Sequence, residues 1–154
     1  MKLCVDTTIL IDILKDEFKS FQDKLYLALS RGEDLVAPTV VYAELMPQFN
    51  GDIKMLGEFI DEHKINIIAL DKDSAGVAAK AWMKYLKKRS KAKCPECGQK
   101  LNFKEHFLSD FYIGGFAITK CDSILTRDRG IYRKYFPGLA GYEKCLKSPG
   151  GSDL

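Results

Sequence analysis

The chain opens on an alternation and then changes period. Met1, Leu3 and Val5 alternate with Lys2 and Cys4, the two-residue repeat of a short buried strand. From Ile9 the repeat lengthens. Ile9 and Ile13 stand four apart, as do Leu10 and Leu14, so both pairs share a helix face. Asp6 sits at the switch, and Thr7 and Thr8 follow it as candidate helix caps. Phe21, Leu25 and Leu29 predict a second helix, closed by Arg31-Gly32. Asp34 to Pro38 reads as a second strand stopped by the proline, with Thr39 as N-cap of a helix through Val40, Val41, Ala43, Glu44 and Leu45.

Pro47 to Gly51 breaks the chain, and Ile53, Leu56, Phe59 and Ile60 then make an amphipathic helix. A third strand is predicted over Ile65 to Leu70. Residues Asp71 to Ser74 can cap a long helix whose apolar positions are Val77, Ala78, Ala81, Trp82, Tyr85 and Leu86. A further helix is predicted from Phe107 to Thr119. Phe111, Ile113, Phe116, Ala117 and Ile118 make most of its surface apolar, so it should be largely buried. Gly114 and Gly115 in its middle cost about 1 kcal/mol each in propensity, which makes sense if another backbone passes close by. Ser123 to Thr126 is the fourth strand, followed by Arg127 to Gly130 and a short helix around Ile131 to Tyr135.

Strands alternating with helices predict an α/β fold of three layers, a central parallel sheet of four to five strands with helices on both faces. There is no internal repeat and no interdomain linker. Residues 1–147 are expected to form one domain, with a Cys-X-X-Cys loop inserted around 94–97 and a frayed tail over 148–154.

Composition adds boundaries to this picture. At 154 residues and 46% hydrophobic, the chain suits one globular domain with a real core. No apolar run is long enough to span a membrane, and the first residues lack the features of a signal peptide, so a cytoplasmic location is expected. A net charge of +3 says little as a total. Of the five cysteines only Cys94 and Cys97 are close in sequence, which in a cytosolic chain points to metal or redox chemistry.

Four acidic residues carry the candidate chemistry. Asp6 and Asp128 closely follow strands, and Glu44 and Asp110 lie near helix starts among apolar neighbours. Taken singly, each has a plainer reading: Asp6 as a helix cap, Glu44 as a surface glutamate. Taken together, a doubly wound sheet could bring all four to the edge where strands end, the usual ligand edge. Four carboxylates in one cleft repel unless a cation neutralises them, and hard divalent cations prefer such oxygens. Acids with no catalytic His or Cys beside them suggest metal-assisted phosphodiester hydrolysis.

The same residues resemble the PIN domain, the nuclease fold shared by VapC-type toxins of toxin–antitoxin pairs. The resemblance rests on Val5-Asp6-Thr7-Thr8-Ile9-Leu10-Ile11, Tyr42-Ala43-Glu44-Leu45, Ser109-Asp110-Phe111-Tyr112-Ile113 and Leu125-Thr126-Arg127-Asp128. These pieces fall in the family's order and span nearly the whole chain. The resemblance implies an acidic metal site of Asp6, Glu44, Asp110 and Asp128, with Thr126 and Thr7 or Thr8 as hydroxyls beside it. It further implies Mg2+- or Mn2+-dependent cleavage of RNA, an α/β/α fold, an antitoxin protein as partner and frequent homodimerisation. The Cys94–Cys97 loop is not part of the ordinary toxin pattern.

That loop, Cys94-Pro95-Glu96-Cys97-Gly98, has the form of a zinc knuckle, but a structural zinc takes four ligands and no second such pair exists. His106, Cys121, Cys145 or a partner copy are the candidates to complete a Zn2+ site. The alternatives are a reduced, unligated turn and a local disulfide. Before the loop runs a basic stretch with Lys84, Lys87, Lys88, Arg89, Lys91 and Lys93, which Lys100 and Lys104 extend beyond it. Such a stretch attracts a phosphate backbone with salt-dependent affinity, and it is also what a solvated helix end looks like. Two further functions therefore stand beside a metal-dependent ribonuclease. One is a non-catalytic RNA-binding or assembly module using the basic stretch and the cysteine loop. The other is a metal-dependent phosphohydrolase acting on DNA or a small phosphoester, since acidic clusters do not encode their substrate.

Overall fold

β1 spans Lys2–Val5 and lies at the centre of a fully parallel sheet. A computed structural model describes residues 1–99 and 105–146. The expected tail over 148–154, and Lys100 and Lys104 of the basic stretch, lie outside the described residues. Around β1 stand β2 (Asp34–Pro38), β3 (Asn66–Ile68), β4 (Ser123–Leu125) and β5 (Ala140–Gly141), in the order β3-β2-β1-β4-β5. Leu3 is paired with Leu35 on one side and Ser123 on the other. Leu3, Cys4 and Val5 are all fully buried, as a central strand covered on both faces requires.

The helices are α1 (Thr7–Lys15), α2 (Lys19–Ser30), α3 (Thr39–Leu45), α4 (Ile53–Glu62), α5 (Lys72–Lys91), α6 (Leu108–Lys120), α7 (Arg129–Tyr135) and α8 (Tyr142–Leu146), with a 3-10 turn at Met46–Phe49. They flank the sheet, which gives the three-layer α/β/α arrangement that the alternation of periods predicts. α6 is the buried helix: Phe111, Ile113, Phe116 and Ala117 are at most 1% exposed, and it touches β1, β2 and β4.

The paired glycines of α6 have the expected cause. A Cβ on Gly115 would stand 2.5 Å from the Ser74 carbonyl oxygen and 2.9 Å from the Ala78 nitrogen, so the backbone of α5 passes directly over it. At Gly114 the space is taken by the Phe136 ring.

Three local expectations are corrected. Thr39 is the first helical residue, because Pro38 stays extended at φ −72° and ψ 157° and holds the N-cap position itself. The third strand is shorter than Ile65 to Leu70: the Ile65 N–H bonds the Ile60 carbonyl and so ends α4. Thr7 and Thr8 do not cap α1; Asp6 holds that position, and their hydroxyls go elsewhere. β5 and α8, two and five residues long, were too short to show a period.

Candidate functional site

The chain winds outward from β1 in one direction through β2 and β3, then returns to the other side of β1 for β4 and β5. The topological switch therefore lies between β1 and β4, and a crevice opens there at their carboxyl ends. Asp6 follows β1 directly, and Thr126 follows β4 directly. The Asp6 N–H bonds the Leu125 carbonyl at 3.0 Å, extending the ladder to its last position.

Asp6 is only 3% exposed. Its carboxylate does not cap α1. Instead Oδ2 accepts from the hydroxyls of Thr126 at 2.6 Å and Thr8 at 3.0 Å. Thr126 Oγ1 in turn accepts the Asp128 N–H at 3.0 Å, so one hydroxyl ties the ends of the two central strands to the start of α7. Glu44, the sixth of the seven residues of α3, accepts from the Thr7 hydroxyl. Asp110, in the first turn of α6, accepts the Phe107 N–H at 3.0 Å. Asp6, Thr7, Thr8, Ile11, Glu44 and Asp110 line one open cleft.

Charge couples Asp6 to Asp110 and Glu44, and Asp110 to Glu44 and Asp128. Burial pushes the Asp6 carboxyl from its usual 3.8 up to about 6; the Thr126 and Thr8 hydroxyls oppose this, and the charges of Asp110 and Glu44 reinforce it. Burial also raises Asp110, against the Phe107 N–H, with Glu44 and Asp128 adding to the rise. The phenol of Tyr132, buried under the cleft on α7, is held well above its ordinary value by burial and then by Asp6, Cys4, Asp110 and Asp128. The fold thus brings Asp6, Glu44 and Asp110 to one cleft, with Asp128 near enough to Asp110 to be felt there.

Among the described residues, no three His, Cys, Asp or Glu side chains converge closely enough to hold an ion between them. The carboxylates of Asp6, Glu44 and Asp110 each lean on a hydroxyl or N–H of their own. The donor set itself consists of carboxylate and hydroxyl oxygens, the chemistry suited to Mg2+ or Mn2+ and poorly suited to soft metals. Burial is the main cause that raises Asp6 and Asp110, and a cation there would relieve the smaller share that comes from like charge, so the residues fit such an ion in donor type and in charge.

Sequence reasoning passed over Asp12. It is fully buried on α1, and its Oδ2 accepts from Arg127 Nε at 3.1 Å, while Oδ1 has no hydrogen-bond partner. The Arg127 guanidinium also stacks on Phe18 at 4.1 Å. This pair clamps the segment between Thr126 and Asp128 onto α1. The signal was available: Asp12 is a lone charge among Ile9, Leu10, Ile11, Ile13 and Leu14, as Asp110 is on α6.

The basic residues sit on the last turns of α5. Lys88 lies over the Tyr135 ring at 5.4 Å, and Arg89 pairs with Glu105 at 3.1 Å. On the same helix the Tyr85 hydroxyl accepts the His106 N–H at 2.9 Å, which joins this end of α5 to the approach to α6 and Asp110. Cys94 and Cys97 stand on a separate turn beyond α5, half-buried and exposed respectively. His63 is half-buried at the C-cap of α4, where its Nδ1 contacts the Phe59 carbonyl and its ring packs on Phe59.

A family model described as PIN domain matches residues 3–137. No curated protein matches the sequence. Among solved structures, VapBC2 from Rickettsia felis bound to a DNA fragment from their promoter is similar with a TM-score of 0.63 at 17% identity, over 91% of this chain and 96% of that one. VapBC-1 from nontypeable Haemophilus influenzae is similar with a TM-score of 0.63 at 18% identity, over 92% of this chain and 96% of that one. At such identities these two likenesses speak for the fold.

Proposed function

We propose, on the premise that this chain belongs to the PIN domain family, that it is a Mg2+- or Mn2+-dependent endoribonuclease. The reading is supported by Asp6, Glu44 and Asp110 lining one cleft beside the switch between β1 and β4, with Asp128 coupled to Asp110, and by Asp6 being raised to about 6 by burial, Asp110 and Glu44 adding to the rise. Those four carboxylates would hold the ion or ions. A divalent ion so held supplies an activated water and stabilisation of the leaving oxygen. The Thr126 hydroxyl fixes Asp6 and the Asp128 backbone in one register, and Thr7 fixes Glu44. With its Oδ2 occupied by two hydroxyls, Asp6 has Oδ1 left to coordinate.

RNA is the substrate of this reading. Lys87, Lys88, Arg89 and Lys91 would bind its phosphates along the end of α5, with Arg89 sharing its charge with Glu105. A toxin's role beside an antitoxin partner belongs to the same reading and is supported by the two VapBC likenesses; a homodimer belongs to it by the family resemblance alone. No helix among the described residues is long and apolar enough to cross a membrane; a cytoplasmic location is part of the proposal.

The test is Mn2+ calorimetry on wild type and Asp6→Asn, followed by incubation with a mixed RNA pool with and without EDTA. Wild type should bind Mn2+ and cut RNA only without chelator, and the folded variant should do neither. A wild type that binds no divalent ion would refute the four-carboxylate site and leave a non-catalytic RNA-binding module. Binding with cleavage of DNA or a small phosphoester instead would refute the substrate.

A further inference from the structure

The Cys94–Cys97 turn takes no part in the acidic cleft, yet it is built tightly. α5 stops at Lys91, where the Ala92 N–H bonds the Arg89 carbonyl. The chain then closes on itself. Cys94 N–H donates to the Gln99 carbonyl at 2.8 Å, and Gly98 N–H donates to the Cys94 carbonyl at 2.9 Å. Gly98 has φ +69°, a left-handed conformation that glycine adopts without strain.

Inside the loop, the backbone N–H groups of Cys97 and Glu96 point at the Cys94 sulfur, and the Cys97 thiol joins them. Two sulfurs are thus brought together on a turn open to solvent. This is the half-site geometry of a tetrahedral thiolate metal centre.

The rest of a ligand set is not at hand among the described residues. Among the described residues no third His, Cys, Asp or Glu joins this pair. Cys4 is buried in β1 in contact with Cys121. His63 is on α4 against Phe59. The His106 ring packs against Tyr85, Phe111 and Tyr135. Residues 100–104 read Lys-Leu-Asn-Phe-Lys and hold no ligand type.

We propose that the Cys94–Cys97 turn is one half of a zinc site completed by the same turn of a second copy of this chain, so that one Zn2+ on four thiolates joins two chains. The protons balance: four thiols release four protons, and the centre formed from four thiolates and Zn2+ carries two negative charges. Charge also favours this occupant. Lys91 and Lys93 flank the turn in each copy, and a doubly negative centre offsets the repulsion of the two basic ends as they meet. The site is independent of the acidic cleft.

The experiment uses the full chain, made without added zinc and handled under reductant. Metal content is read by mass spectrometry, and Co2+ substitution reads the ligand field. The expected result is about one zinc per two chains, with the charge-transfer intensity of four cobalt–sulfur bonds per cobalt. Cys97→Ser should lose both signals and keep its thermal melt, since the turn is outside the core, while Cys145→Ser should keep both signals. The proposal is overturned by an absence of zinc, by one zinc per chain, by zinc retained in Cys97→Ser, or by its loss in Cys145→Ser. A Cys94–Cys97 disulfide found by mass mapping without reductant, in protein free of zinc, would equally overturn it.

Discussion

Asp6→Asn should make the metal-free protein more stable, although it removes the residue at the centre of the cleft. The Asp6 carboxyl, 3% exposed, is raised from 3.8 to about 6, with burial the largest cause and Asp110 and Glu44 adding to it. A raised carboxyl means that the folded state prefers the protonated acid. Below pH 3.8 the group is neutral in both folded and unfolded chains and costs nothing. As pH climbs from 3.8 through about 6, the unfolded chain ionises first, and folding stability falls. Above about 6 the whole penalty is present. At about 1.4 kcal/mol for each pH unit of displacement, it reaches roughly 3 kcal/mol as an upper figure. Asparagine is neutral throughout. Both hydroxyl bonds to Asp6 go to Oδ2, so the amide oxygen can keep both, and the NH2 replaces Oδ1 in a field that Glu44 and Asp110 make favourable to a donor. Urea unfolding in EDTA should therefore show the variant ahead of wild type by about 2 to 3 kcal/mol at roughly pH 8, and level with it at roughly pH 3.5. Excess Mn2+ should reverse the order near neutrality by stabilising wild type alone. A variant equal to or weaker than wild type in EDTA at alkaline pH would refute the account of Asp6 as a carboxylate strained by burial and like charge.

Three other substitutions probe the frame of the site. Gly115→Ala should cost about 1 to 3 kcal/mol in urea unfolding, because its methyl group meets the Ser74 carbonyl and Ala78 on α5, and backbone atoms cannot turn aside. Arg127→Ala should cost about 2 kcal/mol, between the values for exposed and buried pairs, since Asp12 is wholly buried while Arg127 is half-exposed. Adding Asp12→Asn should recover part of that loss, which a denaturant double-mutant cycle measures. Replacing Lys87, Lys88 and Lys91 with glutamine should weaken RNA binding and flatten its dependence on log salt by about 2, as three lost phosphate contacts on a single strand imply. An unchanged slope in a filter-binding series would remove this end of α5 from the RNA path.

The fold was legible wherever burial wrote a long enough repeat. The all-apolar α6 announced its position across the sheet, and its two glycines announced the helix that crosses it at Ser74 and Ala78. Asp6 and Asp128 were readable because each follows an apolar run that could only be a strand, and strand ends in such a sheet lie together. What a one-dimensional reading could not supply was the partner of each polar group. Thr7 and Thr8 look like caps by position, since a hydroxyl at a helix start usually serves its own backbone. Here Glu44 and Asp6, from different elements, take those hydroxyls. Asp12 escaped for the same reason: its partner Arg127 is 115 residues away.

Those long-range partners explain why the site can hold its unfavourable charge at all. An isolated buried carboxylate would simply protonate or distort its surroundings. Asp6 is instead met by two hydroxyls, and one of them, on Thr126, is fixed by the Asp128 N–H and backed by the Asp12–Arg127 clamp. The hydroxyls lower Asp6, but they leave it at about 6 instead of returning it to 3.8. The remaining imbalance is the part of the binding free energy that a divalent cation would recover. The hydroxyl network thus sets how strongly the cleft attracts an ion. Thr126→Val, which removes one donor to Asp6 without adding charge, should raise Asp6 further and weaken Mn2+ binding in calorimetry, while leaving all four carboxylates in place. Unchanged Mn2+ affinity in that variant would show that the carboxylates hold the ion without help from the network.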